Sequence, residues 1–422
     1  MANTYLSRTQ TSGNADIFTS SAWVKRTSLG ELMVWCVYTG SSNYTKFGID
    51  ANDRLKYDDY QGTQYSDFVS NQRLRDVNGW YHLVCAVDTT NSTAGDRVKI
   101  YVNGVRVTSW FTQTNYPLDQ NTLVNSGNLF DINVQQAGNV TVGGLMSYVA
   151  FVDGTQELPT IFGETDSVTG QWKIKTDITP SVAWGTNGFL ILKNGNSLTD
   201  ESTNTNNFTL GGGTLTDTKD CPDNVFATLN PLSSFYYGGT FSNGNCSTVS
   251  GASGYYSPIT STLGMTPTSG KYYAEVKFDT ASTTIYSFIG ITGSPINETN
   301  KNIGGRTYGY AYAYNGSKYN NNTGSSYGNG YVEGDIIGIA VDATNSKIYF
   351  SKNGTWQNSG NPESGSTGTG AAFTISTTPT QGFYFFGCSD DNNGTGTSAW
   401  SWNFGNGFFG TSAVADNSTA TA

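Results

Sequence analysis

The sequence predicts an all-β protein made of two antiparallel β-sandwich domains of the jelly-roll type. Charged residues make up only 13% of the 422 residues, whereas 51 glycines and 26 tyrosines are spread along the chain. Tyrosine and β-branched residues favour strands, while Gly, Ser and Asn favour the turns between them. Because a domain typically contains about 100–200 residues, this length fits two domains and a connector.

The first domain is predicted over residues 1–165. The run 80–88 (WYHLVCAVD) is apolar on both faces, which is typical of a central strand. Apolar and polar residues alternate over 97–108, around an Asn103-Gly104 pair that favours a type I′ hairpin turn. Val102 is then expected to face Val105 across the turn.

An ordered connector with one or two strands is expected over residues 166–230, since this stretch is poorer in apolar pattern. One of its strands is predicted at 188–193 (GFLILK). The second domain is expected over 231–410, and residues 411–422 are expected to form a polar tail.

The second domain carries the clearest strand signal of the chain. Residues 270–279 (GKYYAEVKFD) place apolar or aromatic side chains at every even position from 272 to 278. The runs 287–292 and 334–342 are apolar enough for strands buried on both faces. Asn353-Gly354 repeats the hairpin signal of the first domain.

These motifs resemble two known families of β-sandwich. Three motifs in the first domain resemble the concanavalin A-like, laminin-G-type jelly roll, and six motifs in the second resemble the SPRY domain, which implies protein binding through loops. The first set is 18–25 (FTSSAWVK), 79–84 (GWYHLV) and 100–104 (IYVNG); the second is 271–275 (KYYAE), 288–291 (FIGI), 308–310 (YGY), 334–338 (GDIIG), 349–354 (YFSKNG) and 403–405 (NFG).

The two domains in one chain, with the segments 162–165 and 224–231, resemble proteins of marine bacteriophage particles. The resemblance implies a virion surface protein, and residues 1–5 show no basic region followed by an apolar run of the kind that begins a secretory signal. The expected partners are other virion proteins and host cell-surface polysaccharide. A homo-oligomer is also expected, and we take a trimer as the starting hypothesis without any residue pattern behind it.

Composition argues against several kinds of partner. The net charge is −10 and no cluster of Lys and Arg occurs, so nucleic acid binding is not expected. No stretch approaches the roughly 20 apolar residues of a membrane-spanning helix. The five cysteines are widely spaced and only one histidine is present, so neither a metal nor another cofactor is expected. Whether Cys221 and Cys246 form a disulfide is left open by the sequence.

No catalytic residue is predicted, and the chain is expected not to be an enzyme. His82 could be a general base, but its pattern indicates an ordinary strand residue of the jelly roll. Glycoside hydrolysis is the enzymatic alternative, and it needs two carboxyl groups about 5–9 Å apart. Asp58-Asp59 would point to opposite faces of a strand, and Asp390-Asp391 lies in a Gly/Asn stretch. Both pairs are interpreted as solvated turns, with weak calcium or ligand contacts as the alternative.

One tyrosine-rich segment, TYGYAYAY, is the candidate ligand or interface site. Tyr308, Tyr310, Tyr312 and Tyr314 alternate with small residues and would share one strand face, and the Asn-Gly turn that follows would bring Tyr319 opposite Tyr312. If that face is buried, five hydroxyl groups each need a partner. If it is exposed, the rings offer stacking platforms for sugars or a subunit interface. A decoration protein without any receptor is a further alternative.

Overall fold

The computed structural model describes residues 4–136, 139–140, 143–233, 239–251, 256, 258–280, 287–294, 301–390 and 397–414. In these residues the chain forms antiparallel β-strands, turns and short 3-10 helices, which confirms the predicted all-β class. The chain divides into two compact units, Met1–Val225 and Phe226–Ala422. None of the helices in the described ranges is long and apolar enough to cross a membrane.

The first unit is built from strands that are short at its edges and long at its centre. In chain order they are β1 (Tyr5–Thr9), β2 (Ile17–Arg26), β3 (Leu32–Gly40), β4 (Asn43–Ile49), β5 (Arg54–Gln61), β6 (Gln64–Arg73), β7 (Trp80–Asp88), β8 (Val98–Val102), β9 (Val105–Arg106), β10 (Trp110–Thr114), β11 (Leu129–Ile132), β12 (Val134–Gln136), β13 (Asn139–Val140), β14 (Gly144–Asp153), β15 (Gly163–Thr165), β16 (Trp172–Ile174), β17 (Phe189–Ile191) and β18 (Thr209–Gly212), with 3-10 helices at Ala94–Asp96, Pro159–Ile161 and Thr179–Ser181.

Two large sheets form this unit. One has the order β10-β6-β5-β4-β3-β11-β1-β18 and the other the order β17-β14-β2-β7-β8-β9. Alternate side chains of both sheets point to a shared aromatic core that contains Trp35, Tyr57 and Phe151. The predicted central strand, β7, lies between β2 and β8.

The hairpin signal of the first unit is confirmed. Asn103 and Gly104 both have positive φ, 49° and 78°, as a type I′ turn requires. Val102 pairs with Val105 across this turn, in the expected register. The twist of such a turn matches the twist of its two strands, so a two-residue sequence signal is sufficient to set the pairing.

The expected connector over residues 166–230 is not a separate segment for most of its length. Strand β17 pairs with β14 and strand β18 pairs with β1, so these residues complete the edges of both large sheets. Phe189 and Phe208 lie in the core of the first unit. The strands are only three and four residues long, which is too short for an alternating pattern to reveal which sheet they join.

The second unit is also a pair of antiparallel sheets. Its strands are β19 (Thr240–Ser242), β20 (Ser247–Val249), β21 (Ile259–Thr260), β22 (Lys271–Thr280), β23 (Ser287–Thr292), β24 (Gly309–Ala313), β25 (Ser317–Asn320), β26 (Thr323–Ser326), β27 (Ile336–Asp342), β28 (Lys347–Lys352), β29 (Thr355–Trp356), β30 (Phe373–Thr374), β31 (Phe385–Asp390), β32 (Ala399–Asn403), β33 (Phe408–Phe409) and β34 (Ser412–Ala413), with 3-10 helices at Ile303–Gly305, Gln357–Ser359 and Gly365–Thr367.

One sheet of this unit has the order β19-β20-β32-β22-β27-β28-β29, with β30 beside β28, and the other has the order β21-β31-β23-β24-β25-β26. The predicted alternation of β22 is confirmed, because Ala274, Val276 and Phe278 are buried in the core. Strands β23 and β27 are buried along nearly their whole length, as expected. Part of the predicted tail, β34, pairs with β33, and residues 415–422 lie outside the described residues.

Candidate functional site

The tyrosine-rich segment forms β24, and its central rings lie in the core of the second unit. Tyr310 is 6% exposed and Tyr312 is 0% exposed. The hydroxyl group of Tyr312 donates to the backbone oxygen of Asn329, and that of Tyr310 accepts from the backbone N–H of Ser376 at 3.0 Å. Tyr308 and Tyr314 are partly buried and pack against the same core.

Tyr319 was expected opposite Tyr312, and this expectation is wrong. Tyr319 pairs with Ala311, while Lys318 lies opposite Tyr312. The loop between the strands contains three residues, ending in Gly316 with φ 84°, instead of the two that were assumed. A shift of one residue moves a side chain to the other face of a sheet, so the five tyrosines do not share a surface.

His82 is the single histidine of the chain, and it lies fully buried in β7 among aromatic rings. Trp23 stacks on the imidazole with ring centroids 4.7 Å apart. The indole N–H of Trp172 donates to Nδ1 of His82 at 3.0 Å, and Nε2 lies 2.8 Å from Oγ of Ser21. Burial lowers the pKa of His82 to about 3.

The pairing of Ser21 with His82 superficially resembles a nucleophile and its general base, but the protons are placed the wrong way. An indole N–H can only donate, so Nδ1 of His82 must accept and the neutral ring carries its proton on Nε2. Nε2 therefore donates to Ser21, whereas a general base would have to accept from it. Ser21 is only 2% exposed, so a substrate does not reach this pair in the described structure.

Asp58 and Asp59 point to opposite faces of β5 as expected, but their interpretation as a solvated turn is wrong. Asp59 is 0% exposed, and its carboxylate accepts from the hydroxyl groups of Thr45 and Tyr116 at 2.7 and 2.8 Å. Burial raises the pKa of Asp59. Asp390 is likewise buried, at the end of β31, and its neighbour in sequence lies outside the described residues.

A surface that the sequence did not reveal lies on the eight-stranded sheet of the first unit. On the face that points away from the core, Tyr38, Tyr44 and Tyr60 lie opposite one another on β3, β4 and β5. The rings of Tyr44 and Tyr60 are stacked, with centroids 5.8 Å apart and planes inclined by 21°. All three rings are partly exposed, and we call them the tyrosine row.

A charged row lies beside the tyrosine row on the same face. Lys46, Asp58 and Asp67 are directly opposite one another on β4, β5 and β6. Nζ of Lys56, from the next row, lies 2.9 Å from Asp58 and 4.0 Å from Asp67. The ammonium of Lys46 lies 3.9 Å from Asp58 and 4.8 Å from the ring centre of Tyr44. The two rows are thus joined by contacts as well as by register.

The electrostatics of this face follow from its partial burial. Burial raises the pKa of Asp67, against the opposing effect of Lys56. Burial and the carboxylate of Asp58 raise the pKa of Tyr44 to about 12, so its hydroxyl group stays protonated at neutral pH. Asp58 itself is 2% exposed and accepts from Nε2 of Gln64 at 2.8 Å. The face therefore presents tyrosine rings and hydroxyl groups above a largely buried carboxylate.

Sequence reasoning missed this face because each strand shows only an alternation of polar and apolar residues. The tyrosine row and the charged row exist only once β3 to β6 are aligned in register. Tyrosines and charged residues at alternate positions of neighbouring predicted strands could have indicated it.

In the part of the chain that the structure describes, the cysteines and acidic residues form neither a metal centre nor a disulfide. None of the five cysteines is joined in a disulfide, so the open Cys221–Cys246 pairing is not formed. Cys36 and Cys85 are buried as expected. No group of three or more His, Cys, Asp or Glu in the described ranges is placed to hold a metal ion.

Two family models match the chain, one in each unit. Residues 2–161 match the concanavalin A-like lectin/glucanases superfamily, and residues 271–396 match the SPRY domain. A concanavalin A-like domain is followed by a SPRY domain. Comparison with curated protein sequences finds no match.

Comparison with solved structures finds likenesses at low sequence identity. The SPRY domain of human HERC1 is 16% identical and covers 42% of this chain and 98% of its own, with a TM-score of 0.33. A putative carbohydrate binding protein from Bacteroides ovatus is 16% identical, covering 52% of this chain and 59% of its own, with a TM-score of 0.34. Domain 4 of a Geobacillus stearothermophilus GH43 arabinanase, in complex with arabinotriose, is 21% identical and covers 34% and 64%, with a TM-score of 0.27. At these identities and scores the likenesses carry no functional argument.

Proposed function

We propose that the protein is a non-enzymatic contact protein on the surface of a bacteriophage particle, binding host cell-surface glycans through its concanavalin A-like domain. The observation that carries the proposal is the tyrosine row, Tyr38, Tyr44 and Tyr60, beside Lys46 on one sheet face. Aromatic rings with neighbouring polar groups are suited to a sugar, which has both C–H faces and hydroxyl groups.

The burial, protonation and ion pairing of the candidate catalytic groups favour contact over catalysis. His82 is buried, and its proton lies on the nitrogen that faces Ser21. Asp58 is almost fully buried and lies 2.9 Å from the ammonium of Lys56, so a sugar ring has poor access to it. Each remaining contact on the face is weak by itself, and display of many copies on one particle would multiply it.

Placement on a virion is supported by the pairing of the two domains, which resembles proteins of phage particles. Other virion proteins are proposed as the second class of partner, and the homo-oligomer, with a trimer as the starting hypothesis, remains a prediction. Mass spectrometry of purified particles, with antibody labelling, tests the location. A protein that is abundant in lysates and absent from particles would contradict it and favour an adaptor inside the cell.

The binding proposal is tested on a glycan array and on host cells with the full chain. Wild type should bind saturably, and Tyr44→Ala and Tyr60→Ala should each weaken binding by about tenfold or more, since an aromatic contact contributes on the order of 1 kcal/mol besides its buried area. Phe383→Ala, which removes a 47% exposed ring of the other unit, is the matched control and should bind like wild type. No saturable binding to glycans or cells, with strong attachment to empty particles, would instead indicate a decoration protein.

A glycoside hydrolase is the second candidate, and one observation favours it. Asp58 and Asp67 are cross-strand neighbours on the sheet face that carries the tyrosine row, and both lie within 4.0 Å of Nζ of Lys56. Glycoside hydrolysis requires two carboxyl groups about 5–9 Å apart, and cross-strand neighbours have Cβ atoms about 5 Å apart. Incubation with β-glucans, alginates and capsular polysaccharides decides between the candidates. Release of reducing ends by wild type that disappears in Asp67→Asn would replace the non-enzymatic proposal.

A further inference from the structure

A second aromatic surface lies on the SPRY unit, on the outer face of the sheet that contains β22. One cross-strand row on this face runs through five neighbouring strands. Its members, from β32 to β29, are Asn403, Glu275, Gly338, Ser351 and Trp356. The side chains that alternate with Glu275 along β22, Ala274 and Val276, belong to the core, so the row points away from the core.

The glycine in the middle of this row leaves a space that Tyr273 covers. A Cβ atom on Gly338 would lie 2.7 Å from the hydroxyl oxygen of Tyr273 and 3.3 Å from its ring. The ring of Tyr273 therefore lies across the backbone of the sheet at this point, with one side against the glycine. Tyr273 is nevertheless 52% exposed, so the opposite side of the ring faces solvent.

Trp356 stands at the edge of this exposed ring. The centroids of the two rings are 6.4 Å apart, and their planes are inclined by 66°. Tyr273 thus forms a floor and Trp356 a side wall, and we call this arrangement the aromatic corner. The hydroxyl group of Ser351 and the ring of Tyr273 both border the position of a Cβ atom on Gly338, so the partly exposed ring of Trp356 is not needed to cover the glycine.

The carboxylate of Glu275 is held in place at the hydroxyl end of the Tyr273 ring. Oε1 of Glu275 accepts from the hydroxyl group of Tyr273 at 2.9 Å, and Oε2 accepts from Nδ2 of Asn403 at 3.3 Å. Each carboxylate oxygen has further acceptor capacity, since an ionised carboxylate accepts about four hydrogen bonds. The row therefore combines an apolar platform with fixed acceptors at its rim.

We propose that the aromatic corner is a binding site for a neutral pyranose of an oligosaccharide. Such a sugar presents a flat C–H face, which fits the exposed ring of Tyr273, and hydroxyl groups at its edge, which donate to Glu275. Trp356 limits the position of the sugar on the side away from the carboxylate. A uronic acid is disfavoured, because its negative charge would lie near that of Glu275. The site is separate from the tyrosine row, and it stands if that row binds nothing.

The test is a titration of the full chain with cellohexaose, a neutral β-linked probe, followed by the indole N–H signals in the NMR spectrum and by calorimetry. Wild type should bind weakly and saturably, with one indole signal shifting that is absent from Trp356→Phe. Tyr273→Ala and Trp356→Ala should weaken binding by about tenfold or more. Phe383→Ala, in the same unit, and Tyr60→Ala, on the tyrosine row, should leave the shift of the Trp356 signal unchanged.

The melting temperature of each variant separates binding from a merely structural role. Tyr273→Phe keeps a ring over Gly338 and should fold and stack like wild type, even if Tyr273→Ala loses stability. The proposal is overturned if wild type shows no saturable binding up to about 10 mM cellohexaose. It is equally overturned if Tyr273→Ala and Trp356→Ala bind like wild type, or if hexagalacturonate binds as tightly as the neutral probe.

Discussion

The single histidine allows a direct test of how the core of the first unit is protonated. Replacement of His82 by Gln keeps one donor for Ser21 and one acceptor for the indole N–H of Trp172, but it removes the titrating group. The two proteins should therefore have comparable stability at pH 7.5. Their stability should diverge as the solution becomes more acidic.

The size and sign of this divergence follow from the pKa of His82, which burial lowers to about 3 in the folded chain. An unfolded histidine has a pKa of about 6.5, so between these values the unfolded chain binds one proton more than the folded chain. The free energy of unfolding therefore falls as the pH falls from about 6.5 towards 3, and this group has no effect above that window. At pH 5 the loss is about 2 kcal/mol, at about 1.4 kcal/mol for each pH unit.

Urea unfolding at pH 7.5 and pH 5.0, followed by tryptophan fluorescence, measures this loss. Other carboxyl groups also titrate in this range, and the comparison of wild type with His82→Gln cancels their contribution. Wild type should lose about 2 kcal/mol more than the variant in the transition of the first unit. In addition, ¹⁵N labelling of histidine gives the signals of one imidazole, which should show a protonated Nε2 and a bare Nδ1 down to pH 5.

Equal loss of stability in wild type and His82→Gln would refute the assignment of a buried neutral imidazole. A proton on Nδ1 would refute the argument from the Trp172 hydrogen bond, and it would restore Ser21 and His82 as a possible catalytic pair. The NMR result does not depend on folding energetics, so the two parts of the argument can fail separately.

Four further substitutions test the packing in the two units by urea or thermal unfolding. Gly104→Ala should destabilise the first unit by about 1–3 kcal/mol, since its φ is 78° and a Cβ would lie 2.5 Å from an indole ring; Gly354→Ala, with the same φ and no neighbour within 4 Å, should cost only the backbone strain. Asp220→Ala should cost about 3–5 kcal/mol, because it removes the carboxylate that lies 2.6 Å from the buried ammonium of Lys25. Tyr312→Ala should cost about 3–5 kcal/mol in the second unit, as a core cavity does, and any binding it loses should parallel lost folding.

Local signals in the sequence were sufficient for the strands and the tight turns. The alternation over 270–279 identified both the strand and the face that enters the core. Asn103-Gly104 and Asn353-Gly354 both form turns with positive φ at each residue, because Asn and Gly tolerate that conformation better than other residues. Both signals act within a few residues, so tertiary contacts did not have to be known.

The tyrosine segment shows where such local reasoning stops. Alternation placed Tyr310 and Tyr312 on one face, but the number of residues in the next loop decided the position of Tyr319. Whether the shared face is covered or exposed depends on the opposite sheet, which brings Phe350 against Tyr312 with centroids 5.4 Å apart. Strand periodicity is the same in either case.

By itself the sequence determined the all-β class, the two domains with their family resemblance, and the strands that carry most of the core. Only the tertiary structure decided which residues meet across strands. It placed Asp58 beside Asp67 and Tyr44 beside Tyr60, and it put the ring of Tyr273 over Gly338. The physical reason is that a strand pattern encodes two faces, whereas register between strands and the layer packed above each face determine which side chains form a site.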